Sequence, residues 1–292
     1  MGLRRSLGTG LALLALLASA GCGGGGDDER ILFTTERDNG LDEVMVMKPD
    51  GSDQENVSNN PARDFDPNWS PDGTRIAFVS DRDGDLEIFV MDADGGEQEQ
   101  LTNNEAEDGL PAWSPDGERI LFSSRRDGND ELYVMRPDGT GQRNLTRNRA
   151  SDTDGAWSPD GRSIALSSGR DGPHELYELP AGGGQPRLLV ESPGEDTAPA
   201  WSPDGTKIAF SRTTADGLTD VHVLDRATGQ VRRLTDDPRS DGLHIAWSPD
   251  GRRIAFASDR NGDYEVYVMN ADGSDERRLT TAIGEDSPRA WR

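Results

Sequence analysis

Six tryptophans divide this chain into units of nearly equal length. They stand 44, 44, 44, 46 and 44 residues apart, at Trp69, Trp113, Trp157, Trp201, Trp247 and Trp291. The first five each open the sequence Trp-Ser-Pro-Asp-Gly (WSPDG). Because a constant spacing of this length is typical of one supersecondary unit copied along a chain, the repeat predicts the architecture before any local propensity is considered.

The unit around Trp69 shows how each copy folds. Pro71-Asp72-Gly73 has the residue order of a type I turn. Asp83-Gly84 readily takes the positive φ of a tight hairpin. The turns separate four predicted strands, Asn68–Ser70, Arg75–Ser80, Glu87–Met91 and Gln100–Thr102. Since no unit carries a helix signal, each copy is predicted to be a small antiparallel sheet.

Six such sheets packed around an axis bury each other's faces, so the sequence predicts an all-β fold, a six-bladed β-propeller with four-stranded blades. The second strand and the tryptophan strand each occur six times, whereas WSPDG occurs five times. We therefore expect Ser287–Trp291 to pair with Ile31–Thr34, so that one blade is closed by both ends of the repeat. The tryptophans are predicted to stabilise the blades; an aromatic platform for sugars is the alternative interpretation.

Further sequences recur in phase with the tryptophans. They include Ala112–Gly117, Ile254-Ala255-Phe256, Val268–Gly273 and Arg278-Leu279-Thr280. These sequences resemble the repeat of the TolB-type β-propeller, a WD-repeat-like module also found in relatives of prolyl oligopeptidase. The resemblance covers almost the whole chain after its leader and implies a propeller with a binding role. The periplasmic protein that gives the family its name carries an α/β domain before the propeller, to which nothing in this sequence corresponds.

Residues 1–21 are typical of a signal peptide. Arg4 and Arg5 precede the apolar run Leu11–Leu17, which is too short to span a bilayer, since that takes about 20 residues. The segment ends in Ser19-Ala20-Gly21-Cys22, which resembles a bacterial lipobox, although Ser19 stands where leucine is usual. We expect a lipid on Cys22, a Gly/Asp-rich tether over residues 22–30 and the propeller over residues 31–292. An ordinary cleaved signal with an incidental free thiol is the alternative.

The charge balance restricts the possible partners. The chain has 31 Lys and Arg against 55 Asp and Glu, a net charge of −24. An acidic surface repels phosphate backbones and anionic lipid headgroups, which argues against nucleic acid and against peripheral membrane binding. The same surface favours solubility and cationic partners.

An acid recurs near the start of each tryptophan strand. The positions are Asp64, Asp108, Asp152, Asp196, Asp241 and Asp286. Because this strand lines the channel of a propeller, we expect six carboxylates around one mouth, with His244 close by, as an electronegative funnel for a basic protein segment or a cation. A structural alternative stays open, because an arginine follows each second strand and could pair with the aspartate of its own blade. These arginines are Arg37, Arg82, Arg126, Arg170, Arg212 and Arg260.

Two other kinds of site, a calcium loop and an enzyme active site, have weaker signals in the sequence. The oxygen-rich turn Asp81–Glu87 resembles a calcium loop, but calcium takes six to eight oxygen ligands and the equivalent turns vary, so a hairpin explains every copy. The chain has three histidines, His174, His222 and His244, and no GxSxG elbow. We therefore predict no enzyme, no cofactor and no metal. The least regular sector, with Ala181–Gly184 and an expanded loop over Arg212–Asp220, is a candidate for partner specificity.

Together these features predict a lipid-anchored protein of the bacterial cell envelope, with a monomeric propeller that binds an envelope protein or a basic peptide segment. The lipid is its only expected contact with the membrane, and the WSPDG turns are expected to face that membrane. One alternative is small-ligand or glycan binding in the central channel, with a bound cation. Another is a propeller hydrolase or lyase, which would need a metal site around His244.

Overall fold

The computed structural model describes residues 29–36 and 40–292. These residues form 24 β-strands arranged in six four-stranded antiparallel sheets. The predicted signal peptide, Cys22 and Arg37 lie outside the described residues. Within the described part of the chain, no helix has the length and apolarity needed to cross a membrane.

The sheets are the blades, numbered here in chain order. Blade 1 contains β1 (Ile31–Thr35), β2 (Glu43–Met47) and β3 (Glu55–Asn56). Blade 2 contains β4 (Asp64–Trp69), β5 (Arg75–Ser80), β6 (Glu87–Asp92) and β7 (Glu99–Gln100). Blade 3 contains β8 (Asp108–Trp113), β9 (Ile120–Ser124), β10 (Glu131–Met135) and β11 (Arg143–Asn144).

The second half of the ring follows the same plan. Blade 4 contains β12 (Asp152–Trp157), β13 (Ser163–Ser168), β14 (Glu175–Pro180) and β15 (Arg187–Leu188). Blade 5 contains β16 (Glu195–Trp201), β17 (Lys207–Thr213), β18 (Thr219–Asp225) and β19 (Val231–Arg233). Blade 6 contains β20 (Asp241–Trp247), β21 (Arg253–Ser258), β22 (Glu265–Asn270) and β23 (Arg277–Arg278), and β24 (Asp286–Trp291) completes blade 1.

The two ends of the repeat close the ring as predicted. Strand β24 pairs with β1, with Trp291 opposite Ile31 and Asp286 opposite Thr35. Beyond the strands, Arg30 and Arg292 exchange two backbone hydrogen bonds of 2.9 Å each. The inner strands β4, β8, β12, β16, β20 and β24 contact one another in this order around the axis. The prediction of a six-bladed propeller with one blade built from both ends is confirmed.

The hydrophobic core lies between the blades. One cluster, for example, combines Leu32 and Val44 of blade 1 with Trp69, Ile76 and Phe78 of blade 2. The tryptophans are 7–9% exposed. The indole Nε1–H of Trp157 donates to the carbonyl oxygen of Ala112 in the preceding blade at 3.1 Å. Each tryptophan thus joins two blades by apolar contact, which supports the structural interpretation over a sugar platform.

A β-bulge corrects the predicted register of the inner strand. If Trp69 opposes Ile76, a regular ladder places residue 64 opposite residue 81, yet Asp64 is opposite Ser80. The ladder shifts between Phe65 and Asn68, where Asp66 has a φ of 53°. Leu110, Asp154 and Ala198 have the same conformation in the next three blades. Since a bulge re-aims side chains, this feature determines which residues face the axis.

The predicted loop over Arg212–Asp220 is also corrected. Strands β17 and β18 are each seven residues long, and Thr213 pairs with Thr219. The extra residues therefore lengthen a hairpin, whose ladder continues to the Thr213–Thr219 pair before the turn that contains Gly217.

Candidate functional site

The two faces of the ring have different chemistry. The face that carries the five WSPDG turns is called here the WSPDG face, and the opposite face, with the turns between the second and third strand of each blade, is called the hairpin face. In a WSPDG turn the hydroxyl of Ser70 donates to Asp72 at 2.6 Å and accepts from the backbone N–H of Arg75 at 2.9 Å. The bond from Ser70, with others from Thr74, lowers the pKa of Asp72 to about 2. These serines are therefore committed to the turn.

The six recurrent aspartates lie on the hairpin-face side of the inner strands and are fully buried. Five of them pair with the arginine of their own blade, at N–O distances of 2.6–3.0 Å: Asp64 with Arg82, Asp108 with Arg126, Asp152 with Arg170, Asp196 with Arg212 and Asp241 with Arg260. Asp286 accepts a hydrogen bond of 2.5 Å from the hydroxyl of Thr35. Its predicted partner, Arg37, lies outside the described residues.

Each arginine is held by more than its carboxylate. Arg126 donates to the hydroxyl of Ser124 at 2.7 Å and lies 4.7 Å from the ring centroid of Tyr133. Arg212 instead binds Asp196 with two hydrogen bonds of 2.7 and 2.8 Å. Such partly shielded charged pairs hold strand ends together. The structure thus gives these carboxylates a place inside the blades, and a partner-binding role for the six aspartates stays a prediction.

Arg289 and His244 divide the central channel into two cavities, and both side chains line each cavity. Arg289 is ion-paired with Asp66, and Nδ1 of His244 is hydrogen-bonded to the hydroxyl of Ser287. Burial, together with the charge of Arg289, lowers the pKa of His244 well below its usual range. The imidazole is therefore neutral at pH 7.

The WSPDG cavity opens between the WSPDG turns, because Pro115, Pro203 and Pro249 of those turns line it. Its volume is about 400 Å³. The deep end is charged, with Asp66, Asp154 and Arg289, and the walls are apolar. Burial raises the pKa of Asp154 and of Asp66.

Sequence reasoning missed Asp66, Asp154 and Arg289. The first two stand three residues before a tryptophan, a position at which the other copies carry Leu, Ala, His or Pro. The signal in the sequence was that this position varies between the copies while the residues around it recur. A residue that every blade needs recurs in every copy, whereas a residue that serves a binding site need not.

The hairpin-face cavity has a volume of about 210 Å³. Its apolar part is formed by Phe65, Leu243 and Tyr264, and Leu243 is 38% exposed. Its rim carries Glu36, Asp42, Arg63 and Glu285, where Arg63 pairs with Asp42 at 2.6 Å. Burial and the nearby charges of Asp42 and Glu285 raise the pKa of Glu36.

The other histidines have structural surroundings. His222 is buried, stacks on Phe210 with ring centroids 5.6 Å apart, and has a pKa lowered by burial. His174 lies before β14, and its carbonyl oxygen accepts from the backbone N–H of Asp196 at 2.8 Å. Of the three histidines, the structure places only His244 on the channel.

One group of three potential metal ligands occurs among the described residues. Asp83, Asp85 and Glu87 have carboxylate oxygens within 4.8 Å of one another, in the turn whose sequence resembles a calcium loop. Asp83 accepts from the side chain of Gln100, and Glu87 accepts from the backbone N–H of Asn104 at 2.5 Å. Three carboxylates are fewer than the six to eight oxygen ligands that calcium takes. Among the described residues no further acidic or histidine side chain joins this group, so the calcium interpretation gains no more support.

Solved structures with this fold include TolB proteins and enzymes. TolB from Acinetobacter baumannii has 25% sequence identity and a TM-score of 0.80, over 90% of this chain and 66% of its own. A putative TolB from Agrobacterium tumefaciens has 22% identity and a TM-score of 0.73, over 90% and 94%. An oligogalacturonate lyase from Vibrio parahaemolyticus has 16% identity and a TM-score of 0.58, over 78% and 72%. The fold alone therefore does not decide whether the chain is a catalyst.

The family comparison is more specific than the fold. No curated protein matches the sequence. The model of the TolB beta propeller domain, in contrast, matches residues 25–109, 97–192 and 186–290, which is nearly all of the described chain. These matches follow the repeat unit of WSPDG turns and inner tryptophan strands described above. The chain therefore belongs to the TolB β-propeller family.

Proposed function

We propose that this protein is a non-enzymatic, lipid-anchored scaffold of the bacterial cell envelope that binds a protein partner at its hairpin face. The observation that carries the proposal is the hairpin-face cavity, where accessible apolar and acidic side chains meet. Aromatic and aliphatic side chains inside an acidic rim suit a protein segment that carries both apolar and basic residues. Membership of the TolB family supports a binding role in an extracytoplasmic compartment.

The way the chain enters the ring supports the orientation. Glu29, the first described residue, pairs with Arg253 at 2.8 Å, and Arg292 donates to the carbonyl oxygen of Gly73 in a WSPDG turn at 2.9 Å. The entry point therefore lies at the WSPDG face. From Cys22 to Asp28 the tether reaches at most ~25 Å, so the WSPDG face would lie near the membrane and the hairpin face would point away from it.

The binding surface proposed here differs from the six aspartates of the sequence prediction. Reversing the charge of Asp108, for example, would leave Arg126 unpaired and would test folding rather than binding. Glu285 is exposed on the rim and Leu243 is partly exposed, so both can be substituted without disturbing the packing of a blade.

The test uses a photocrosslinking amino acid at position 243 or, as control, at the exposed position 118 in a WSPDG turn. In cells, position 243 should give discrete adducts with envelope proteins and position 118 should not. Glu285→Lys should weaken the adducts at position 243 at least severalfold, whereas Glu118→Lys, the same charge change on the other face, should not. Equal crosslinking from both positions, or adducts insensitive to Glu285→Lys, would contradict the proposal.

A small ligand in the channel is the second candidate function. The WSPDG cavity favours it, because a cavity of about 400 Å³ with few polar groups at its deep end has the size of a small-molecule site. No group of metal ligands among the described residues includes His244.

A further inference from the structure

The deep end of the WSPDG cavity holds more acidic than basic groups. When both are ionised, Asp66 and Asp154 carry two negative charges, whereas Arg289 carries one positive charge and His244 is neutral at pH 7. Arg289 is already paired with Asp66. Among the residues that the structure describes, Asp154 has no ion pair within 4.0 Å, and the backbone N–H of Ala198 offsets part of the rise in its pKa.

The position of Asp154 exposes its carboxylate to any occupant of the cavity. Strand β12 is the third inner strand from β24 in either direction around the axis, so Asp154 faces Arg289 across the channel. Asp66, Asp154 and Arg289 all line the same cavity. Burial raises the pKa of Asp154, so a cation bound beside its carboxylate would favour the ionised form.

The walls of the cavity restrict what could supply that cation. They include Leu110, Pro111, Pro199 and Ile245, which offer no charge. Within the described residues, Asp66, Asp154 and His244 do not come together as metal ligands. The site thus lacks the converging oxygens that a bare divalent ion requires, whereas an organic cation needs one carboxylate and an apolar wall.

We infer that the WSPDG cavity binds a small organic cation, with an ammonium group on Asp154 and an apolar body against the leucine and proline walls. The inference goes beyond protein binding at the hairpin face, because Arg289 and His244 separate the two cavities. It identifies Asp154 as the specificity-determining residue. The aspartate adopts a φ of 53°, a conformation that asparagine tolerates well, so the carboxylate can be removed without changing the backbone.

Three probes with similar skeletons and different charges test the inference: phenethylammonium, 2-phenylethanol and phenylacetate. In calorimetric titrations of the purified protein at pH 7, phenethylammonium should bind at least about tenfold more tightly than the other two, because only its ammonium group can form a charge-assisted hydrogen bond to Asp154. Asp154→Asn should lower the affinity for phenethylammonium about tenfold and leave that for 2-phenylethanol unchanged. Asp216→Asn, in the exposed turn between β17 and β18, should change neither.

The outcomes separate this inference from the proposed function. Equal binding of all three probes, binding of none, a preference for phenylacetate, or an unchanged affinity in Asp154→Asn would overturn the inference. Glu285→Lys should leave phenethylammonium binding intact, and Asp154→Asn should leave the crosslinks from position 243 intact. Loss of both activities in either single variant would mean that the cavities are not independent and would also overturn it.

Discussion

Among single residues, positions that recur in the blades stabilise the fold, and positions that vary between the blades line the candidate site. The recurrent aspartate–arginine pairs could be predicted from the sequence, because each blade needs the same contact and repetition reveals it. Asp154 and Arg289 could not be, since aspartate occupies the position of Asp154 in only two of the six copies, arginine occupies that of Arg289 in one, and no pattern indicates which side chains share the channel. Recurrence therefore located the residues that stabilise the blades and missed those of the candidate site.

Glu87 provides a prediction about pH. It is fully buried, and burial raises its pKa from 4.5 to about 7. The folded state then binds a proton more tightly than the unfolded state, so stability is highest at low pH and falls as the pH rises through about 7. We expect Glu87 to make the protein roughly 1 kcal/mol less stable at pH 8 than at pH 6.

Chemical denaturation at the two pH values checks this prediction. Glu87→Gln should remove that difference, whereas Glu99→Gln, at an exposed position of β7, should keep it. The same pH dependence in Glu87→Gln and in the unaltered protein would show that the carboxyl of Glu87 does not titrate in this range.

At the level of elements, the turn residues and the alternation of apolar and polar residues predicted the strands and their pairing. They did not predict the β-bulge. Asp66, Leu110, Asp154 and Ala198 share a positive φ although only aspartate among them favours it. The conformation is imposed by packing around the axis, which no local sequence pattern reports. A shift of one residue decided which side chains entered the channel, so the candidate site depended on this unpredicted detail.

Two hairpin turns within blade 3 offer a matched pair of glycines. Gly139 has a φ of 78°, and a Cβ there would lie 2.5 Å from the carbonyl oxygen of Leu101 in blade 2. Gly128 has a φ of 95° and open space around it. Gly128→Ala should lower the free energy of unfolding by about 1 kcal/mol, because alanine is strained at a positive φ. Gly139→Ala should cost about 1–3 kcal/mol more, because the turn must move away from the next blade.

Thermal unfolding followed by tryptophan fluorescence measures this difference. A melting temperature lowered equally by both substitutions would mean that backbone strain, and not the contact between blades, sets the need for glycine at position 139.

For the molecule as a whole, the propeller is defined by its sequence period, whereas the proposed membrane location rests on Cys22. We expect the unaltered protein to be recovered with the membrane fraction of cells and to incorporate labelled fatty acid. Cys22→Ser should release it to the soluble fraction, because the proposed lipid is the only attachment to the membrane that we expect. Membrane recovery of Cys22→Ser would contradict the lipid anchor, and a Ser52→Ala variant, with an equally small change on the propeller surface, serves as control.

The closed blade has a consequence for biosynthesis. Strand β1 is made early, but its neighbour β24 is made some 250 residues later, as the separation of 251 between Thr35 and Asp286 shows. In a nascent chain, β1 therefore lacks its inner neighbour until translation has passed Trp291. Contacts so distant in sequence slow folding, so an interrupted chain stays an open arc with an unpaired edge, which proteases and chaperones can recognise.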